Sequence, residues 1–193
     1  MVKSVKRELQ HMDALCLDVL HSDWHDWRGM EKDEDRLLKP GWLEQLVAKQ
    51  GLFVTEAPDV DIFASFKALR ALMQRIVEAL LQKQEPKQQD LEELNVYLDA
   101  FPSRWHLVQD GVQYQLQLLS VNAGWESVVG EVALSFARLL ESDRWRIKQC
   151  KNPDCRWIFY DESANQSRRW CEEACANLMR VRRFRARHQG SVS

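Results

Sequence analysis

The chain has 193 residues, 45% hydrophobic and 29% charged, with a formal net charge of −2. That length suits one medium domain with a small appendage, or a single larger domain, and its main part buries enough surface to need no covalent or metal staple. The charge is unevenly divided: residues 144–190 carry 12 Lys and Arg against 5 Asp and Glu, and residues 1–143 carry 15 against 24, so a polyanion is expected to meet the C-terminal end and be repelled by the body.

No apolar run reaches the ~20 residues of a membrane span. The opening MVKSVKRELQHMDALCLDVLHSDWH is broken by charges every few residues, so it lacks the apolar centre of a signal peptide. A cytoplasmic protein with no membrane partner is expected, and in a reducing compartment close cysteine pairs bind metal more often than they form disulfides. Cys16 stands apart from the other four cysteines and reads as a small core residue.

Leu9, Met12, Leu15, Cys16 and Val19 mark one face of a helix over 5–22 that continues into HSDWHDWRG. After the charged loop EKDEDRLLKPG, a helix is expected from about Pro40, with Gly51 as its C-terminal stop. The strongest helical signal follows, with Phe63, Phe66, Leu69, Leu72, Met73, Ile76 and Leu80 as its buried stripe. QKQEPKQQD is a turn, and Asp90 is expected to cap a helix that Pro102 stops. RWHLVQ and VQYQLQLL alternate around Asp110-Gly111, a hairpin signal. WESVVGEVALSFARLL then reads as an amphipathic helix with Val128, Val132, Phe136, Leu139 and Leu140 on one side. Trp105, Trp125 and Trp145 stand at element starts and read as core anchors.

The last part carries the chemistry. Cys150 and Cys155 flank CKNPDC, and Cys171 and Cys175 flank CEEAC after a 15-residue gap. Two close pairs at this separation let one chain surround a tetrahedral ion with four thiolates. One structural zinc is expected, with iron-sulfur ligation the alternative. A knuckle, a strand RWIFYD returning through RRWC as a hairpin, and a helix carrying the last ligand give a treble-clef-like order. The hairpin places Trp157 and Phe159 on one face and Ile158 and Tyr160 on the other. A closed set of four protein ligands leaves zinc no position at which to activate water, so no enzyme is expected.

The terminal helix, EEACANLMRVRRFRARH, is expected to turn Leu178, Val181 and Phe184 toward the hairpin. Arg180, Arg182, Arg183, Arg185 and Arg187, joined by Arg168 and Arg169, form the candidate nucleic-acid contact, because the planar guanidinium fork suits phosphates. The fold class is therefore mostly α (α+β): a helical N-terminal domain with one β-hairpin over 1–143, and a small zinc finger over 144–193.

The segment CKNPDCRWIFYDESANQSRRWC, followed by VRRFR, resembles the finger of bacterial proteins that join an N-terminal ABATE domain to a C-terminal CGNR-type zinc finger. The naming Cys-Gly-Asn-Arg stands here as Cys175-Ala176-Asn177-Leu178, which keeps the ligand and replaces the glycine and the arginine. LDVLHSDWHDWRG, DRLLKPGWLEQLVAKQGL and LEELNVYL are similar to blocks of the ABATE domain, with His21 and Ser22 where the family has Asn and Thr. The resemblance implies a stress-induced transcription regulator whose finger binds DNA.

His21 and His25 are four apart on an expected helix, near three aspartates. They are a minor candidate for a ligand or metal site, against the blander reading of a polar helix end. The body is expected to sense a small-molecule effector or to form a homodimer. Two alternatives stand beside DNA binding: a finger that docks an acidic protein, and a body that turns over a small ligand through His21 and His25.

Overall fold

The computed structural model describes residues 15–30, 32–52, 54–100, 103–120 and 124–189. Its centre is helix α3 (Val60–Leu81), opened by Asp59, whose carboxylate accepts from the Ile62 amide. Every third or fourth residue, from Ile62 through Phe66, Leu69, Met73, Ile76 and Leu80, is buried. That is the expected stripe, except that Ile62 is buried and Phe63 only packs against its edge.

Around α3 stand α1 (residues 15–20), α2 (Trp42–Lys49), α4 (Gln88–Asp99) and α5 (Trp125–Glu141). α5 buries Val128, Val132, Phe136 and Leu139 against the same core, while Leu140 packs at its edge. Cys16 is fully buried, and its backbone N–H donates to Ser135 Oγ of α5. No helix among the described residues is long and apolar enough to cross a membrane.

The first helix stops at residue 20, short of the expected 22, and Leu9 and Met12 lie outside the described residues. In place of a helical extension and a loop, β1 (Asp23–His25) pairs antiparallel with β2 (Asp33–Asp35). Arg70 of α3 pins this ribbon with a bidentate pair to Asp35 (2.7 and 2.8 Å) and a bond to Ser22 Oγ. Arg70's hydrogen bonds hold the Asp35 carboxyl below its usual range.

α2 ends as its sequence predicts. Gly51 takes φ +69°, its amide reaches Ala48 O, and the Leu52 amide reaches Val47 O, the paired bonds of a Schellman cap. α4 starts two residues before Asp90, capped by Lys87 without a side-chain bond. Asp90 is instead buried in the first turn and pairs with Arg75 Nε at 3.0 Å. The expected hairpin forms from β3 (Ser103–Asp110) and β4 (Gln113–Ser120), with Gly111 at φ +60° in the two-residue loop.

Of the three tryptophans read as anchors, Trp125 is buried and donates from Nε1 to Glu56 O, Trp145 is 51% exposed, and the Trp105 side chain lies outside the described residues. A 3-10 turn (Arg144–Arg146) leads from α5 into β5 (Ile147–Gln149), which pairs antiparallel with β6 (Ile158–Tyr160). The finger's strand thus pairs with the segment before the first cysteine, and not with RRWC as expected. The return segment is tied by single bonds, Lys151 N to Arg169 O and Arg168 N to Asp161 Oδ2. α6 (Glu173–Gln189) closes the chain.

Candidate metal centre and its basic helix

Cys150 leaves β5, Asn152-Pro153-Asp154 turns the chain back to Cys155, and Cys171 and Cys175 bracket the start of α6. All four side chains are buried, and their sulfurs lie within 4.8 Å of one another. Cys155 to Cys171 is 3.5 Å and Cys171 to Cys175 is 3.7 Å. A tetrahedron with arms of ~2.3 Å has edges of about 3.8 Å. The cage is already sized for zinc.

Protonation points the same way. A hydrogen bond from Cys171 lowers the Cys155 thiol to about 6. That same bond, with burial, pushes Cys171 far above its usual range, and burial lifts Cys175 to about 12. Sulfurs this close do not all ionise unless a cation shares the space. One zinc held by Cys150, Cys155, Cys171 and Cys175 supplies that charge, and its role is to cross-link the finger.

Two residues unmarked in the sequence reading support the cage. Asn152 is fully buried; its Nδ2 donates to the Trp27 carbonyl at 2.7 Å and lies 3.6 Å from Cys175 Sγ. Asp161 is also fully buried and accepts from Lys148 Nζ, Ser163 N and Oγ, and Arg168 N. Burial alone would raise its carboxyl, but the bonds from Lys148 and Ser163 hold it far below the carboxylate range. In the sequence Asn152 stands in the turn between the first two cysteines and Asp161 at the end of the strand RWIFYD.

The finger is docked on the body. Ile158 and Tyr160 pack against the main core while Phe159 is buried with the cysteines, so the alternation expected of RWIFYD sets the interface. Trp27 and Trp157 both pack against the cysteine cluster. Arg182 bonds Asp154 at 2.6 Å and the Arg28 carbonyl at 2.9 Å. Gly29 sits beside that pair at φ +79°, where a Cβ would come within 2.9 Å of Asp154 Oδ2.

With this geometry, the comparisons with known proteins agree. The family described as "Putative stress-induced transcription regulator", ABATE, matches residues 13–143, and the CGNR zinc finger matches residues 146–188. The chain belongs to the ABATE family. The two matches adjoin, in the order expected from the motifs. No curated protein is significantly similar to the chain.

The candidate arginines divide by their partners. Arg168, though exposed, is held to the finger, donating to the carbonyls of Trp170 and Cys171 and lying over the Phe159 ring, and Arg182 straps the finger to the body. Arg169 and Arg183 both lie over Trp170, at 5.8 and 5.6 Å from its ring centre. Arg180 reaches Asn177 Oδ1, and Arg185 and Arg187 are exposed. Val181 and Phe184 do not face the finger as expected: they are 45% and 61% exposed. The packed stripe of α6 runs instead from Cys175 through Leu178 and Met179 to Arg182, so the ligand sets the helix's rotation.

His21 and His25 are not on a helix. His21 follows α1 in a turn, its Nε2–H donating to the Ile158 carbonyl at 2.7 Å and its ring stacked on Trp157. His25 ends β1 and bonds Asp33. Among the described residues, only the four cysteines form a cluster suited to a metal. Both histidines do line one cleft of about 540 Å³ between α3 and β6, with Asp23, Glu78 and Arg156.

Proposed function

We propose that the protein is a cytoplasmic DNA-binding regulator. In this reading residues 144–193 form a finger that lays α6 against the phosphates of a duplex. Residues 1–143 form the body, which senses an effector at the His21–His25 cleft or pairs with a second copy. The observation that carries the reading is a groove of about 360 Å³ on α6, lined by Trp170, Ala176, Arg180, Arg183, Phe184 and Arg187. Its charge is wholly positive, it borders an aromatic ring, and the zinc holds the helix that forms it. Guanidinium forks suit phosphate oxygens, and arginine-rich faces on small metal modules are a common nucleic-acid footprint. The family's regulatory description supports the same assignment. The role is read as regulatory and not catalytic, because four thiolates close the metal site.

The test is fluorescence anisotropy with a labelled duplex, comparing the wild type with a variant carrying Arg180→Ala, Arg183→Ala and Arg187→Ala. Loss of about three phosphate contacts should weaken binding at every sequence and flatten its salt dependence. Equal binding by the two proteins overturns the proposal. The exposed Val181 and Phe184 favour one second reading, an acidic protein partner that covers this apolar strip. Capture of such a partner, with no salt-sensitive binding to duplex, would select it.

A further inference from the structure

A second groove, of about 420 Å³, lies where the end of α3 and the 3-10 turn of the body meet the finger. Six cations line it, Lys83, Arg144, Lys148, Lys151, Arg168 and Arg169, and its lining holds no carboxylate. Three of the six are engaged elsewhere. Arg144 forms a bidentate pair with Glu85, Lys148 is held by Asp161, and Arg168 bonds two backbone carbonyls. Lys83, Lys151 and Arg169 form no ion pair among the described residues. They leave the groove with a net positive charge.

One side chain links the two grooves. Arg169 lines this one and lies over Trp170, the ring that lines the groove on α6 and also carries Arg183. Lys83 has a further peculiarity: it takes φ +60° in the Schellman cap of α3, its amide bonding Leu80 O while Gln84 N bonds Ala79 O. Glycine is the favoured residue there, and a side chain in that conformation is strained. The residue that stands there carries an ammonium and lines the groove.

We infer that this groove holds backbone phosphates of the same nucleic acid, so that Lys83 of the body joins Lys151 and Arg169 in extending the footprint of α6. The inference rests on the DNA-binding reading above. In it the body, although acidic in sum, contributes a positive edge, and body and finger bind as one rigid unit.

The experiment uses the zinc-loaded chain of 193 residues and labelled duplexes of several sequences, titrated with salt. The double variant Lys83→Gly with Lys151→Gln is compared with a control of equal charge change outside the groove, Lys39→Gln with Lys49→Gln. Zinc content and melting temperature monitor folding, and glycine at position 83 suits the backbone. With about 0.9 counterion released per phosphate, the double variant should flatten the log–log salt slope by roughly 2. At 0.1 M salt it should lose affinity by up to about 60-fold, alike on all sequences. The control should keep the wild-type slope. An unchanged slope in the double variant, or the same loss in the control, overturns the inference and leaves the α6 reading standing. Wild type that fails to bind duplex overturns that reading itself.

Discussion

His21 stacks on Trp157, with ring centres 4.3 Å apart and planes 8° from parallel, and donates from Nε2 to the Ile158 carbonyl. A residue from the body thus closes over the strand that follows the zinc knuckle. Because a carbonyl only accepts, the neutral ring carries its proton on Nε2. Burial is the main cause that lowers its pKa from 6.5 to about 4; the Ile158 bond and Asp18 raise it, and Arg36 and Lys49 lower it further.

A pH dependence follows. Between the folded and unfolded pKa values the unfolded chain binds the extra proton, so stability rises with pH there. His21 should contribute fully above about pH 6.5 and lose its contribution as pH falls toward about 4. From pH 7.5 to pH 5 the loss is about 2 kcal/mol. Denaturant melts of wild type and His21→Phe should show the wild type losing about that much more. Parallel losses in the two proteins would show that His21 does not titrate with folding.

Asp161 makes a second prediction. Removing its carboxylate leaves the Lys148 ammonium with the Gln166 carbonyl as its remaining partner and strands the amides of Ser163 and Arg168. Asp161→Ala should therefore cost about 3–5 kcal/mol, confined to the finger. Faster zinc loss to a chelator, with the helical signal of the body retained, is the expected observation; unaltered zinc retention would refute it.

Gly29 sits where the body meets the knuckle, beside Asp154 and Arg182. Gly29→Ala forces a side chain into a left-handed backbone, at a cost of about 1–2 kcal/mol, and drives its Cβ against Asp154 and Arg182. The Arg182 strap should open while the cysteines keep their metal. Hydrogen exchange should rise at residues 26–30 and in α6, with zinc stoichiometry unchanged. Full protection in the variant would show that the strap tolerates the methyl group.

The long helices were legible in the sequence because each keeps a helical apolar stripe against one core, as α3 does from Ile62 to Leu80. The cysteine cage was legible through its spacing, and the β3–β4 hairpin through Asp110-Gly111. What stayed hidden depends on distant partners. β1 and β2 are three residues each, too short to show a period, and are held by Arg70, 35 residues from Asp35. β5 is equally short and pairs across the knuckle. In α6, the spacing of Leu178, Val181 and Phe184 suggested a packed face, but the finger ends before that face can be covered. Its packed stripe passes through Cys175 and a charged residue, Arg182, which no hydrophobic pattern marks.

The zinc itself gives a fourth prediction. Elemental analysis should find about one zinc per chain. Cys171→Ser removes a thiolate from the centre of the cage, so it should release the metal and unfold the finger. The 540 Å³ cleft should open with it, since Gln149, Arg156, Trp157 and Ile158 form one wall. Metal-free protein with a finger as protected as the wild type would remove the structural role of the site.

The central claim, that a zinc-held arginine face binds a polyanion, is tested most directly by the salt dependence of wild-type binding to a randomised duplex pool. If Arg169, Arg180, Arg183, Arg185 and Arg187 engage phosphates, with or without Lys83 and Lys151, the log–log slope should fall between about −4.5 and −6.3. A slope near zero, or no binding at low salt, would contradict the account.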